Sequence, residues 1–341
     1  MGKDAKNRQK GGVSSIPSAS IFELMAACSG RVQQPGGRIA AVERRRDSNS
    51  SRWAAIRPMP TSSSKWRAAG QSAEEFGDVE PEMRVAFRKL TKRESNTREK
   101  GLRTLIEAVE RTTGDSAPTL NGIRHFVPFY QSLVLDGVSG VRVVANECLA
   151  AVITKFQKQA AEHIVKMLPY TLLSVHDHLA AVRKSATELL EKCFTEEQRK
   201  KVDERAAPKA VKICLEMIRR KHNSLNKQKF EDVETHGQRT ERIVLQAITT
   251  LTKLQAFAED KAEVVKTLDE THDVVSKISD QIHGNLLACV LALIKGGSVA
   301  EVMGSPLAMK VIRFLDSEKP LLYRNAFGCY MRVQAFIWPP N

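Results

Sequence analysis

The sequence contains no paired cysteines. Cys28, Cys148, Cys193, Cys214, Cys289 and Cys329 stand apart with no C-x-x-C pair, which excludes a disulfide framework and the usual zinc-ligand spacings and leaves buried thiols as the reading. Aromatic residues are scarce, 6% against 27% charged, a balance that disfavours β-sandwiches and barrels and suits helix-rich proteins. Long apolar runs are missing as well. No stretch approaches the roughly 18 to 20 residues of a membrane span, and the basic start lacks an apolar h-region and cleavage site, so the expectation is a cytosolic or nuclear protein. The opening Met1-Gly2-Lys3-Asp4 does not meet the myristoylation pattern, because Lys6 stands where Ser or Thr is needed.

What the chain has is length, apolar content and positive charge. Its 341 residues are 42% hydrophobic, enough for two ordinary domains or one continuous repeat array. The net charge of +14 favours an acidic partner, either a nucleic-acid backbone or an acidic protein face. The excess is concentrated early: residues 1–70 hold 13 basic and 4 acidic side chains. Residues 1–75 are rich in Gly, Ser, Pro and Arg and are expected to form a disordered basic tail. Ile21, Phe22, Leu24 and Met25 make an apolar cluster inside it, which reads equally as a docking peptide or as chance.

From Val79 onward apolar residues recur at helical spacing. Val79, Met83, Ala86, Phe87 and Leu90 form one stripe, and Leu102, Leu105, Ile106 and Val109 the next. Val141, Val144, Ala145, Cys148, Leu149, Val152, Ile153 and Phe156 form the cleanest, and further stripes follow to Ile294. Thr195 with Gln198 spells a capping box, and Ser305 before Pro306 an N-cap with Pro at N1. No alternating strand pattern appears. Shifting the chain by 41 places Pro128-Phe129 on Pro169-Tyr170, Asp136 on Asp177, Val141-Arg142 on Val182-Arg183, Ala145 on Ala186 and Leu149 on Leu190. A fixed period near 41 predicts stacked helical hairpins, each burying its stripe against the next.

The fold class is therefore all-α, a helical repeat solenoid preceded by the basic tail. Asp-x4-Val-Arg at 136 to 142 and 177 to 183 resembles the HEAT motif, which implies that Asp136, Arg142, Asp177 and Arg183 form a structural ladder between repeats. A diverged earlier unit is expected around residues 94–109. We divide the chain into 1–75, the tail; 76–205, HEAT-like repeats of a HEAT/armadillo-like kind; and 206–341, continuing diverged repeats.

Candidate contacts lie at one inter-helix turn. Lys89, Lys92, Arg93, Arg98 and Lys100 place five cations in twelve residues, a cluster able to clamp a phosphate backbone without reading bases. The alternative is a solvated helix face with Glu94 and Glu99 as partners. Arg199-Lys200-Lys201 and Arg219-Arg220-Lys221-His222 are placed on the last turns of helices, where the dipole already favours cations. His176 and His178 flank Asp177 but lack a third ligand and read as structural. Gly296-Gly297-Ser298 reads as a helix break, since no Lys-Ser/Thr follows to make a P-loop. No catalytic residue, cofactor site or metal site is identified.

Residues 79–102 (VEPEMRVAFRKLTKRESNTREKGL), with the basic glycine-containing start, resemble the N-terminus of the listerin family of RING-type E3 ubiquitin ligases, which has a segment of the form FRxLRKLxKKDxxTKxKAL. The likeness continues through Phe126-Val127-Pro128-Phe129-Tyr130 and on to Phe194. It implies an arm that anchors a ligase to the large ribosomal subunit, contacting rRNA, ribosomal protein and a nascent-chain quality-control factor. The full-length ligase would ubiquitinate stalled nascent chains in the cytosol as a monomer, with zinc and the E2 enzyme belonging to its RING. The isolated cysteines here offer no RING pattern, and Phe336 to Asn341 reads as an interruption of a longer solenoid. Residues 31–70, with Trp53 and Trp66, have no counterpart in that family. A non-enzymatic HEAT adaptor for an acidic protein or RNA is the other function compatible with the sequence.

Overall fold

The computed structural model describes residues 76–112, 116–226, 234–275 and 280–337. The basic tail, the apolar cluster at 21–25, Trp53, Trp66 and residues 338–341 lie outside these ranges. Among the described residues there are thirteen α-helices and no strand. Helix α1 is Pro81–Leu90, α2 Ser95–Arg111, α3 Ala117–Leu133, α4 Ser139–Phe156, α5 Ala161–Val175 and α6 Ala180–Cys193. Then follow α7 Glu196–Ile218, α8 His236–Leu254, α9 Lys261–Val275, α10 Asp280–Lys295, α11 Val299–Met303, α12 Leu307–Ile312 and α13 Pro320–Ile337. None is long and apolar enough to cross a membrane.

The helices pair into antiparallel hairpins because each carries one or two apolar stripes that water would otherwise meet. Every member of the Val141 to Phe156 stripe is buried, and Ala150 on the opposite flank is buried too. That double burial fits the position of α4, packed between α2 on one side and α6 on the other. The second helices of the first three hairpins thus form one layer, α2-α4-α6, and α3 and α5, followed by α7, form a second. Pro128 and Pro169, which lack the N–H of an i→i−4 bond, sit inside α3 and α5, 41 residues apart.

The layer is then broken. α8 packs on α7 and α10, and α13 on α10, but no comparable packing joins α6 to α8. Instead α8 lies against the C-terminal end of α5, where Gln246 Nε2 donates to Leu173 O at 3.0 Å. The division at 205–206 falls within α7.

Local signals behave as their chemistry dictates, with two corrections. The capping box closes as expected, Gln198 N–H donating to Thr195 Oγ1 and Thr195 N–H to Gln198 Oε1. It also starts α7, so Arg199, Lys200 and Lys201 occupy the first turns of a helix, not the last turns assigned to them from sequence. Ser305 does not cap; its hydroxyl donates back to Val302 O, and Pro306 takes the N-cap position. After α10 the chain breaks at Gly297, whose φ of 92° suits glycine, while Ser298 N–H closes onto Leu293 O at 3.0 Å.

Candidate functional site

Three arginines repeat one piece of geometry. Each stands near the start of the second helix of a hairpin and reaches back to the turn before it, with Nη1 donating to the carbonyls six and five residues upstream. Arg142 binds Asp136 O at 2.6 Å and Gly137 O at 3.3 Å, and Arg183 binds Asp177 O and His178 O at 2.8 Å each. Arg98 does the same to Lys92 O, at 3.2 Å, and to Arg93 O.

The other edge of the guanidinium joins repeats. Arg98 Nη2 donates to Asp136 Oδ1 at 2.9 Å, with Nε 2.9 Å from Oδ2. Arg142 meets Asp177 alike, at 3.3 and 3.1 Å, with both side chains wholly buried. Each aspartate also accepts the N–H two residues on, from Val138 and Leu179, and so shapes the turn it occupies. Burial lowers the Arg142 pKa from its ordinary value, and the charge of Asp177 opposes that shift.

This geometry divides the five cations of the first turn. Arg98, grouped from sequence with the contact residues, is 2% exposed and belongs to the ladder; it is not available to a partner. The position of the two ladder aspartates, six residues before the arginine, is taken in the first hairpin by Lys92. No described repeat precedes that hairpin to offer an arginine, and Lys92 is exposed. Lys89 is half-buried and donates Nζ to Thr104 Oγ1 at 3.1 Å, tying α1 to α2. Arg93 and Lys100 are exposed. Arg98 therefore grips the backbone of residues 92 and 93 from inside while their side chains face outward.

At the far end Arg183 departs from the ladder assigned to it. It keeps its turn bonds, but among the described residues no carboxylate meets its Nε and Nη2, and it is exposed. The cause is the broken layer: no second helix follows α6 to bring a turn aspartate into place.

Sequence reasoning missed the group that covers the ladder. Arg242 Nη2 donates to Leu135 O at 3.0 Å and pairs with Glu234 at 2.7 Å, and Glu234 lies over Gly137, where an added Cβ would come within 3.0 Å of its carboxylate. Burial pushes the Glu234 carboxyl up, but Arg242 outweighs it and holds the group below its ordinary range. Arg239 is buried beside this pair, and burial followed by the charge of Arg242 lowers its pKa. The available signal was two arginines in the first turns of a capped helix, a place the helix dipole makes unfavourable unless a carboxylate is near.

A second buried polar group links hairpins through the core. Tyr130 Oη lies 2.8 Å from Thr171 Oγ1 and donates to Asn146 Oδ1 at 3.1 Å, and Asn146 Nδ2 donates to Ser185 Oγ.

The remaining candidates have structural surroundings. His222, the last residue of the second basic run, is buried; Ser224 N–H donates to its Nδ1, which puts the ring proton on Nε2, 3.1 Å from Tyr170 Oη. Arg219 pairs with Glu263 of α9 at 2.9 Å. His178 stands 3.2 Å from Asp177. Among the described residues no cluster of His, Cys, Asp or Glu is placed to hold a metal ion.

Stacked helical hairpins joined by a buried arginine-aspartate ladder define a helical repeat solenoid. The model of the N-terminal domain of the E3 ubiquitin-protein ligase listerin matches residues 78–285, from before α1 into α10, and the chain belongs to that family. It is 25% identical over 194 residues to the E3 ubiquitin-protein ligase listerin of Caenorhabditis briggsae, covering 57% of this chain and 13% of that protein. The Caenorhabditis elegans listerin is 26% identical over 167 residues, 48% of this chain and 11% of that protein. The matched stretch is thus a small part of either relative. A designed armadillo repeat protein superposes with a TM-score of 0.32 at 12% identity, over 74% of this chain and 99% of that one.

Proposed function

We propose that this chain is the ribosome-anchoring N-terminal arm of an E3 ubiquitin-protein ligase that ubiquitinates stalled nascent chains on the large ribosomal subunit. The observation that carries the reading is the family match across residues 78–285. The geometry supports it in one respect. Lys92 and Arg93 sit on a turn whose carbonyls are held by the buried Arg98, with Lys100 exposed on the helix that follows. A fixed turn bearing cations can track phosphates at little cost in ordering, and it needs no base-specific contact. Lys89 and Arg98 are positioning residues in this scheme. Ubiquitin transfer, the E2 enzyme and zinc belong to the RING of the full-length protein; the nascent-chain quality-control factor, the cytosolic location and the monomeric state complete the proposal.

The test is co-sedimentation of the chain with purified large subunits, whole ribosomes and a polyanion across a salt series, beside the triple variant Lys92→Glu, Arg93→Glu, Lys100→Glu. Preference for free large subunits, lost in the variant together with a reduced salt slope, is the expected result. Equal retention on every polyanion, unchanged by the substitutions, would overturn it.

A further inference from the structure

The break between α6 and α8 leaves an open cleft of about 570 Å³ where the next helix of the α2-α4-α6 layer would otherwise pack. Its floor is apolar: Val175 at the end of α5, Leu190 on α6 and Phe257 just beyond α8 are all half-buried. Its rim is mostly cationic, with Arg199 and Lys200 on α7 and Lys253 on α8, against Glu196 and Asp203. The ion pairs these cations make are long, Arg199 to Glu191 at 3.6 Å and Lys200 to Glu196 at 3.9 Å, and such exposed pairs hold a side chain weakly.

Arg183 belongs to the same face. Residues 183, 187 and 190 follow one another at i, i+4 and i+7 along α6, and Thr187 and Leu190 line the cleft. The guanidinium of Arg183 is already oriented, because its Nη1 is fixed to the carbonyls of Asp177 and His178 as in the two hairpins before. In those hairpins the opposite edge grips a carboxylate from the next repeat at two points. At Arg183 the edge is formed and its carboxylate does not come from any described residue.

We propose that this cleft is the docking site for an acidic, amphipathic segment of a partner protein, one of whose carboxylates completes the ladder at Arg183 while its apolar side chains cover Val175, Leu190 and Phe257. A protein segment fits better than a nucleic acid for two reasons. The lining is mainly aliphatic and charged, with His176 and Phe257 as its rings, so it offers no extended platform on which successive bases could stack. The Arg183 edge repeats a geometry that, twice in this chain, selects a planar carboxylate. The site is separate from the basic turn at 92–100 and does not depend on the ribosomal reading.

The experiment is a display selection of random sixteen-residue peptides on the whole chain, followed by anisotropy titration of the enriched peptides against wild type, Arg183→Gln, Arg183→Lys and Lys253→Glu. Expected are acidic amphipathic sequences whose affinity falls about tenfold with Arg183→Gln, is not restored by Arg183→Lys, and falls again with Lys253→Glu. Changing the critical peptide Glu to Gln should cost nothing further in the Arg183→Gln background, the signature of a direct pair. Lys253 is exposed, so that variant tests the cleft even where Arg183→Gln loosens its turn. Enrichment of non-acidic peptides, binding indifferent to both positions, or displacement of every binder by poly(U) RNA would overturn the proposal.

Discussion

Arg142 Nε lies 3.1 Å from Asp177 Oδ2 with neither side chain exposed to water, so this pair exists only because two successive hairpins are in register. Removing Arg142 leaves Asp177 buried and uncompensated, and it also frees the two turn carbonyls that Nη1 holds. Arg142→Met should lower the unfolding free energy by about 3–5 kcal/mol. The double variant Arg142→Met, Asp177→Leu should recover a substantial part, since it leaves no orphaned charge. Urea denaturation of the wild type, Arg142→Met and the double variant checks this; equal losses in single and double variants would count against it.

The first turn offers a contrast between inward and outward cations. Arg98→Met should destabilise on the same scale as Arg142→Met, because it breaks the two-point contact with Asp136. Lys92→Glu and Lys100→Glu, both at exposed positions, should stay within about 0.5 kcal/mol of wild type. Thermal melts of the single variants measure the difference. A five-residue charge reversal that included Arg98 would confuse lost contact with lost fold.

Stability should fall on both sides of neutrality. Burial pushes Cys148, Cys193 and Cys214 up and takes Cys289 and Cys329 to about 12 and Tyr170 to about 12. These groups favour the folded state fully below their unfolded values, about 8.5 for thiols, and the contribution drains away as pH rises towards about 12. His163, His176, His178 and His283 are lowered by burial, so their contribution is present above 6.5 and is lost as pH falls below it. The urea midpoint should therefore be highest between about 6.5 and 8.5. Cys289→Ala should flatten the alkaline limb and leave the acid limb unchanged; a midpoint that does not fall above that window would contradict the assignment.

At Gly101 α2 lies close against α1. A Cβ there would lie 2.9 Å from Lys89 Cβ and 3.1 Å from Ala86 O, neither of which can swing aside. Gly101→Ala gains about 1 kcal/mol of helix propensity but must push the hairpin apart, at a cost of about 1–3 kcal/mol. The expected result in chemical denaturation is net destabilisation; a more stable variant would show that the helices separate freely.

Periodicity made the helices legible because the apolar stripes are the buried faces, as the run from Val141 to Phe156 shows. The 41-residue offset located Asp136, Arg142, Asp177 and Arg183, yet it hid Arg98, which precedes Arg142 by 44 residues and so fell out of register. Without that alignment its charge placed it among the surface cations. Arg183 was misread for the opposite reason: its local motif is intact, and whether a partner aspartate follows depends on how α8 packs, which no local pattern encodes. Glu234, Arg239 and Arg242 meet the ladder across a long stretch of chain, and their spacing around the start of α8 announces nothing about residue 135.

The bond from Arg242 to Leu135 spans 107 residues. Arrays of hairpins that touch only their neighbours can open one unit at a time from an end, each step costing little. Here the start of α8 is fastened to the second hairpin, so α3 to α8 cannot fray in sequence without first releasing that clasp. Amide exchange across these six helices should proceed as one cooperative block, slower than in α1 or α13, and Arg242→Ala should split it into independently opening segments.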